Sequence, residues 1–291
     1  MLLDPKVLMT IKNLPLLAKT VIDGFMNGFN KSTVKGPGLE FSQYRSYQPG
    51  DDLRWLDWRM YARSDRYYIR ESEVETSISV RFLIDASASM NHNDGTLKKI
   101  DYARFMTASL AYLANLQGDA VGLYVFKEGG LFSLASKADP QHLQRLYYQL
   151  EQIKPEGTFT QPVHYKEIFG GGRKEILVFI TDMYQPNGEI TTLLDSLAAL
   201  KHEIIVFQLM GQNELDFDFK GYAALEDLET GEIIQVGEQT KQQYQEALQT
   251  HLEKTRMQLL SKNIFHRVVN TSQPLDEVLR NFLIQRNKGV V

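Results

Sequence analysis

From Ser79 onward the chain alternates two apolar periodicities, and this alternation constrains its fold more than any other feature. Apolar runs of strand length at 80–84, 120–126, 176–180 and 204–210 are separated by helix-period segments at 97–116, 140–153 and 190–200. Strand, helix and strand in turn mean an α/β domain. The runs Ile176-Leu177-Val178-Phe179-Ile180 and Ile204-Ile205-Val206-Phe207 have no polar face. They therefore read as parallel strands buried between two helical layers, which predicts a doubly wound, mostly parallel sheet. The alternation breaks at 217–236 into a predicted β-hairpin turning at Glu229-Thr230-Gly231-Glu232. A helix at 241–262, a strand at 264–269 and a last helix near Pro274, with Ser272 as candidate cap, complete the domain.

The front of the chain differs. Leu17, Val21, Phe25 and Phe29 recur every fourth residue as one helical stripe, with Pro15 separating it from a shorter turn at 5–12. Gly36, Pro37, Gly38, Pro49 and Gly50 punctuate residues 31–64 into turns and short strands. The expected organisation is an N-terminal helical arm at 1–30, a region at 31–78 with a small β annex joined by 213–238, and the α/β domain at 79–291.

With 291 residues the chain can bury about three quarters of its extended surface, so its core needs no staples. The absence of cysteine excludes disulfides, thiolate catalysis and Cys-based zinc sites, and fits a reducing cytoplasm. Asp4, Lys6, Lys12 and Lys19 interrupt any leader-like apolar core, and the uncharged stretch 105–118 is too short to span a bilayer, so no membrane span is expected. Residues 1–70 carry a net +4 and the remainder −8. Four acids accompany the arginines of the basic part, so nucleic acid is not an expected partner. Gly170-Gly171-Gly172-Arg173 precedes a strand where a phosphate loop must come after one, which argues against nucleotide hydrolysis. The six histidines are scattered without metal or triad spacing.

The chemistry gathers elsewhere. In Leu83-Ile84-Asp85-Ala86-Ser87-Ala88-Ser89 an apolar strand ends in a carboxylate succeeded by hydroxyls at alternate positions. The carboxyl edge of an open parallel sheet is where such folds bind ligands. A second strand, 176–180, ends in Thr181-Asp182, and two carboxylates facing one crevice repel unless a cation lies between them. Oxygen donors of this kind suit Mg²⁺, or Mn²⁺, rather than zinc. Gly157-Thr158-Phe159-Thr160, a turn before a helix, is the candidate for a third contribution.

Asp-x-Ser-x-Ser, then Gly-Thr, then Thr-Asp resembles, in order and spacing, the metal-ion-dependent adhesion site of von Willebrand factor type A domains. The resemblance implies a Rossmann-like sheet with Asp85, Ser87 and Ser89 in the first metal loop, Thr158 in the second (Thr160 competing) and Asp182 in the third. It also implies that a partner's acidic side chain completes the metal shell. A second stretch, Gly36-Pro37-Gly38-Leu39-Glu40-Phe41 with Tyr44-Arg45-Ser46-Tyr47-Gln48-Pro49-Gly50-Asp51-Asp52-Leu53-Arg54-Trp55-Leu56-Asp57-Trp58 and Ala62-Arg63, resembles the signature of domain-of-unknown-function family 58. The similarity extends through Asp227-Leu228-Glu229-Thr230-Gly231 to the last helix. Some members carry membrane helices, and many are encoded beside MoxR-type AAA+ ATPases. The resemblance thus implies an adaptor of such an ATPase in chaperone-like assembly, cytoplasmic on the cysteine-free composition and non-enzymatic because no general base stands out beside the ligands; the alternative is a metal-dependent hydrolase of phosphate or ester substrates. Arg45, Arg54 and Arg63 are expected either to pair with Asp51, Asp52 and Asp57 while Trp55 and Trp58 fill a domain seam, or to form an exposed Trp/Arg surface for a partner.

Overall fold

The computed structural model describes residues 13–31, 43–48, 56, 58–71, 78–95, 97–160, 165–170, 174–218, 224–235 and 238–287. The chain divides into two compact units, one formed by Met1–Asn27 with Ile78–Val291 and the other by Gly28–Ser77.

In chain order the described elements begin with α1 (Leu14–Lys31), β1 (Gln43–Ser46), α2 (Trp58–Ser64) and β2 (Tyr68–Glu71). The α/β unit continues with β3 (Ser79–Asp85), α3 (Lys99–Leu116), β4 (Ala120–Lys127), β5 (Gly130–Lys137), α4 (Pro140–Gln152), α5 (Tyr165–Phe169), β6 (Ile176–Thr181), α6 (Glu189–Ala198) and β7 (Glu203–Met210). It ends with α7 (Gln212–Asp216), β8 (Ala224–Glu226), β9 (Ile233–Gln235), α8 (Glu238–Leu260), β10 (Ile264–Asn270) and α9 (Leu275–Asn287).

Six strands form one sheet in the order β10-β7-β6-β3-β4-β5, all parallel except the edge pair β4 and β5. Alternate residues of each strand enter opposite cores. Phe82, Ile84, Ile205, Phe207 and Leu209 pack with Ala103, Leu146 and Leu279 on one face, while Leu83, Ile204 and Val206 pack with Leu193, Leu197 and Leu259 on the other. Burial on both faces explains why these strands read as continuous apolar runs. The chain passes from β3 to β4 on one side and later enters β6 on the other side of β3. The order therefore reverses at the β3/β6 boundary, which leaves a crevice beyond the carboxyl ends of those two strands.

Several expectations are revised. The N-terminal helix is not a free arm: Leu14, Leu17, Ala18, Val21 and Ile22 belong to the main core. Asn13 accepts the Leu16 amide at 2.9 Å and starts this helix, and Pro15 sits in its first turn, where a missing N–H costs nothing. The predicted turn at 5–12 lies outside the described residues. β5 is an addition to the expected strands; Glu128-Gly129 forms a two-residue turn (Gly129 φ +73°) and returns the chain as an antiparallel edge strand with a half-exposed, alternating face. The segments expected to share one annex pair locally among the described residues: β1 with β2, and β8 with β9, in separate two-stranded sheets. Ser272 does not act as the expected helix cap but donates its hydroxyl to Asp94 Oδ2.

No helix among the described residues is long and apolar enough to cross a membrane.

Candidate functional site

Asp85 ends β3 opposite the end of β6, since Ile84 is in register with Ile180. It is fully buried. Its Oδ1 accepts the Ser87 amide at 3.0 Å, and its Oδ2 accepts the Thr181 hydroxyl at 2.7 Å. These bonds fold the first loop back on itself, and Ser87 Oγ and Ser89 Oγ come to lie 3.0 Å apart. Burial first, and the Asp182 charge second, push Asp85 up to about 7.

The third loop is fixed by the same threonine. Thr181 Oγ1 accepts the Met183 amide at 2.9 Å, and buried Met183 adopts φ +61°, a left-handed conformation that strains a side-chain-bearing residue. Asp182 is thereby turned toward the crevice. Its Oδ1 accepts the Tyr184 amide at 3.1 Å, its Oδ2 accepts Lys99 Nζ at 3.0 Å, and its carbonyl accepts Gln208 Nε2 at 3.3 Å.

Gly157 carries the second loop. Its carbonyl accepts the Ala88 amide at 2.8 Å, and the Glu156 amide donates to the Ala86 carbonyl at 3.0 Å, so this loop is laced to the first. Gly157 has φ +63°, and a Cβ there would overlap the Glu128 side chain, its Cβ at 2.6 Å. Only glycine fits. Phe159 anchors the other side, buried against Phe126 and Phe179 with ring centroids at 5.2 and 6.1 Å. Thr158 lies between these anchors with its side chain exposed, as does that of Thr160.

The structure therefore brings Asp85, Ser87, Ser89 and Asp182 together and holds the backbone beside Thr158 against the first loop. Of the aromatic–basic set, Asp51, Asp52, Arg54, Trp55 and Asp57 lie outside the described residues. Arg45 lies on β1, and Trp58 and Arg63 lie on α2 with exposed side chains, Trp58 at 61%. Within that unit Trp58 meets Tyr61 edge-on at 6.3 Å, and Tyr61 stacks on Tyr67 at 4.5 Å.

Two site residues escape a reading of the sequence. Lys99, 4% exposed, bridges Asp182 and Glu214 at 3.0 and 2.8 Å. Burial alone would lower its pKa, but the two carboxylates outweigh it and raise it. A lysine in the first turn of a helix opposes the macrodipole, and that is the one available signal of a specific partner. Glu229, in the β8–β9 turn, has both carboxylate oxygens sealed from solvent without a hydrogen bond. Burial raises its pKa, while the Ser89 and Ser87 hydroxyls are close enough to oppose the rise.

Among the described residues no three His, Asp or Glu side chains converge as metal ligands. A cation here would rest on mixed hydroxyl and carboxylate oxygens. The shielded Glu229 oxygens, the serine hydroxyls bonded to one another and the buried Asp85 carboxylate fit such an ion.

Residues 43–257 match the family described as "Protein of unknown function DUF58". Uncharacterized protein Rv1480 of Mycobacterium tuberculosis is 24% identical over 244 residues, covering 79% of this chain and 73% of that protein. Uncharacterized protein Mb1516 of Mycobacterium bovis aligns to the same extent. Among solved structures, conserved hypothetical protein BatB from Bacteroides thetaiotaomicron shares 17% identity over 73% of this chain and 100% of that chain, with TM-score 0.46. The SpRpn10 VWA domain shares 11% identity over 70% and 94%, with TM-score 0.41.

Proposed function

The chain belongs to the DUF58 family of proteins of unknown function, and from that premise we propose that it is a metal-dependent protein-binding module rather than an enzyme. The Ser87 and Ser89 hydroxyls would hold Mg²⁺, or Mn²⁺, with Asp85 and Asp182 supplying charge and Thr158 or Thr160 the second-loop oxygen. The site would thereby recognise a carboxylate of another protein. The observation that carries this reading is the convergence of Asp85, Ser87, Ser89 and Asp182 at the point where the strand order reverses, with Asp85 fully buried.

Bound there, the ion supplies Lewis acidity to an incoming oxygen anion. The chain's own residues do the positioning. Asp85 orders the first loop through the Ser87 amide, Thr181 joins the first and third loops, and Lys99 holds Asp182 in place. The signature resemblance adds a MoxR-type AAA+ ATPase as the partner.

The alternative, a metal-dependent phosphate or ester hydrolase, needs a general base. Of the two histidines on the crevice wall, His92 and His251, the first is bonded to Asn213 at 3.0 Å and lies 3.8 Å from Glu214. Co-precipitation with the AAA+ ATPase is expected to require Mg²⁺ and to fail in Asp182→Ala. Capture indifferent to chelator and to that substitution rules out metal-bridged docking. Phosphatase or esterase turnover lost in Asp85→Ala establishes the hydrolase instead.

A further inference from the structure

The Glu229 carboxylate has both oxygens shielded from solvent within the α/β unit, and the proposed module gives it no role in partner binding. It lies in the short hairpin whose Leu225 and Asp227 line the same crevice as Ser89, Lys99, Asp182 and Tyr184. Three observations concern its placement. First, both Oε atoms are shielded from solvent and make no hydrogen bond, although the Ser87 and Ser89 hydroxyls are beside them and bonded to one another. Two neutral hydroxyls do not neutralise a carboxylate shielded from solvent, so a cation beside it would stabilise it.

Second, it is aimed. Tyr184, two residues after Asp182, donates its hydroxyl to Asp227 Oδ2. Asp227 Oδ1 in turn accepts the Glu229 and Thr230 amides at 2.8 and 3.1 Å, an Asx turn that directs the Glu229 side chain. Gly231, at φ +72°, donates its amide to the Asp227 carbonyl at 2.8 Å and closes the turn. Third, the element that carries it is slight. β8 and β9 are three residues each and, among the described residues, pair only with each other, and a two-stranded ribbon of that size is marginal in water. It can leave the crevice without disturbing the six-stranded sheet.

We infer that Glu229 is an internal stand-in for the partner's acid: its carboxylate takes the exchangeable position on the ion held by Ser87 and Ser89, so the β8–β9 hairpin plugs the site and a carboxylate-bearing protein partner must displace it. This rests on the metal-site reading above. The plug makes the free protein self-satisfied. It also raises the threshold for docking, because a lone weak carboxylate competes against one tethered at high effective concentration. Only a partner with further contacts around the crevice dislodges it, which gives specificity to a site whose central bond is chemically generic.

The test uses Mn²⁺ alone as the probe, with the full chain and the Glu229→Gln and Glu229→Ala variants. Free Mn²⁺ is counted by electron paramagnetic resonance, and the water on the bound ion is read by proton relaxation. Removing the internal ligand is expected to weaken Mn²⁺ about tenfold and to raise the relaxation enhancement per bound ion, because a rapidly exchanging water replaces the carboxylate. Unchanged affinity and relaxation in both variants, with Asp85→Ala still abolishing Mn²⁺ binding, overturns the plug and leaves the metal site standing. A wild-type chain that binds no Mn²⁺ overturns both.

Discussion

Replacing Lys99 by Met removes the ammonium that pairs with Asp182. The Lys99 side chain is 5% exposed and that of Asp182 3%, so deletion leaves a buried carboxylate facing an aliphatic chain. Breaking a buried ion pair from one side costs about 3–5 kcal/mol. Glu214, the second partner, is 21% exposed and can rehydrate, which places the expected loss near the lower end, about 3 kcal/mol. A unit of this size loses about 2–4 °C per kcal/mol, so the melting temperature is expected to fall by about 6–12 °C. Urea unfolding of Lys99→Met, Asp182→Asn and the double variant measures the effect, and the cycle isolates the pair. Coupling above about 1 kcal/mol is expected because the double variant no longer buries an uncompensated charge. A Lys99→Met protein within about 0.5 kcal/mol of wild type, or strictly additive variants, would refute the claim that this lysine neutralises the third loop.

The same geometry makes two further outcomes testable. Gly157→Ala places a Cβ at φ +63° against Glu128; it is expected to cost about 1–2 kcal/mol and to weaken Mg²⁺ binding measured by calorimetry, and unaltered stability and affinity would contradict the loop assignment. His266 is held down to about 4 by burial first and by Arg256 second. It bonds Gln208 Oε1 at 2.9 Å, and Gln208 Nε2 bonds the Asp182 carbonyl. Because its folded pKa lies below the unfolded value of about 6.5, the stability contributed by the neutral ring is complete above about 6.5 and is lost as pH falls toward 4, to about 3 kcal/mol in all. Urea midpoints between pH 7 and 4 should show this slope, and His266→Gln should flatten it; an NMR titration midpoint near 6.5 would remove its basis.

The sheet is legible in the sequence because strands buried on both faces leave uninterrupted apolar runs, as Ile176 to Ile180 do. The first metal loop is legible because its donors are closely spaced and come directly after such a strand. Lys99 and Glu229 are not, for a shared reason: each becomes a site residue only when β6, α7 or the β8–β9 turn arrives from elsewhere in the chain, and nothing local marks that arrival. Leu17 and Val21 announce a helical stripe, but a stripe does not reveal which surface covers it, and here it is the main core. β5 escapes notice because its alternating Gly130-Leu131-Phe132-Ser133-Leu134 run is short and half-exposed, so it lacks the continuous apolar signature of its neighbours.

The central claim, that oxygen donors from separate loops share one divalent ion, is tested most directly by unfolding the protein with and without Mg²⁺. At a free concentration about 100 times its dissociation constant, Mg²⁺ should stabilise the wild-type chain by about 2.7 kcal/mol, and Asp85→Ala should abolish the gain. An unfolding curve indifferent to Mg²⁺ at millimolar concentration, or an equal gain in Asp85→Ala, would contradict it.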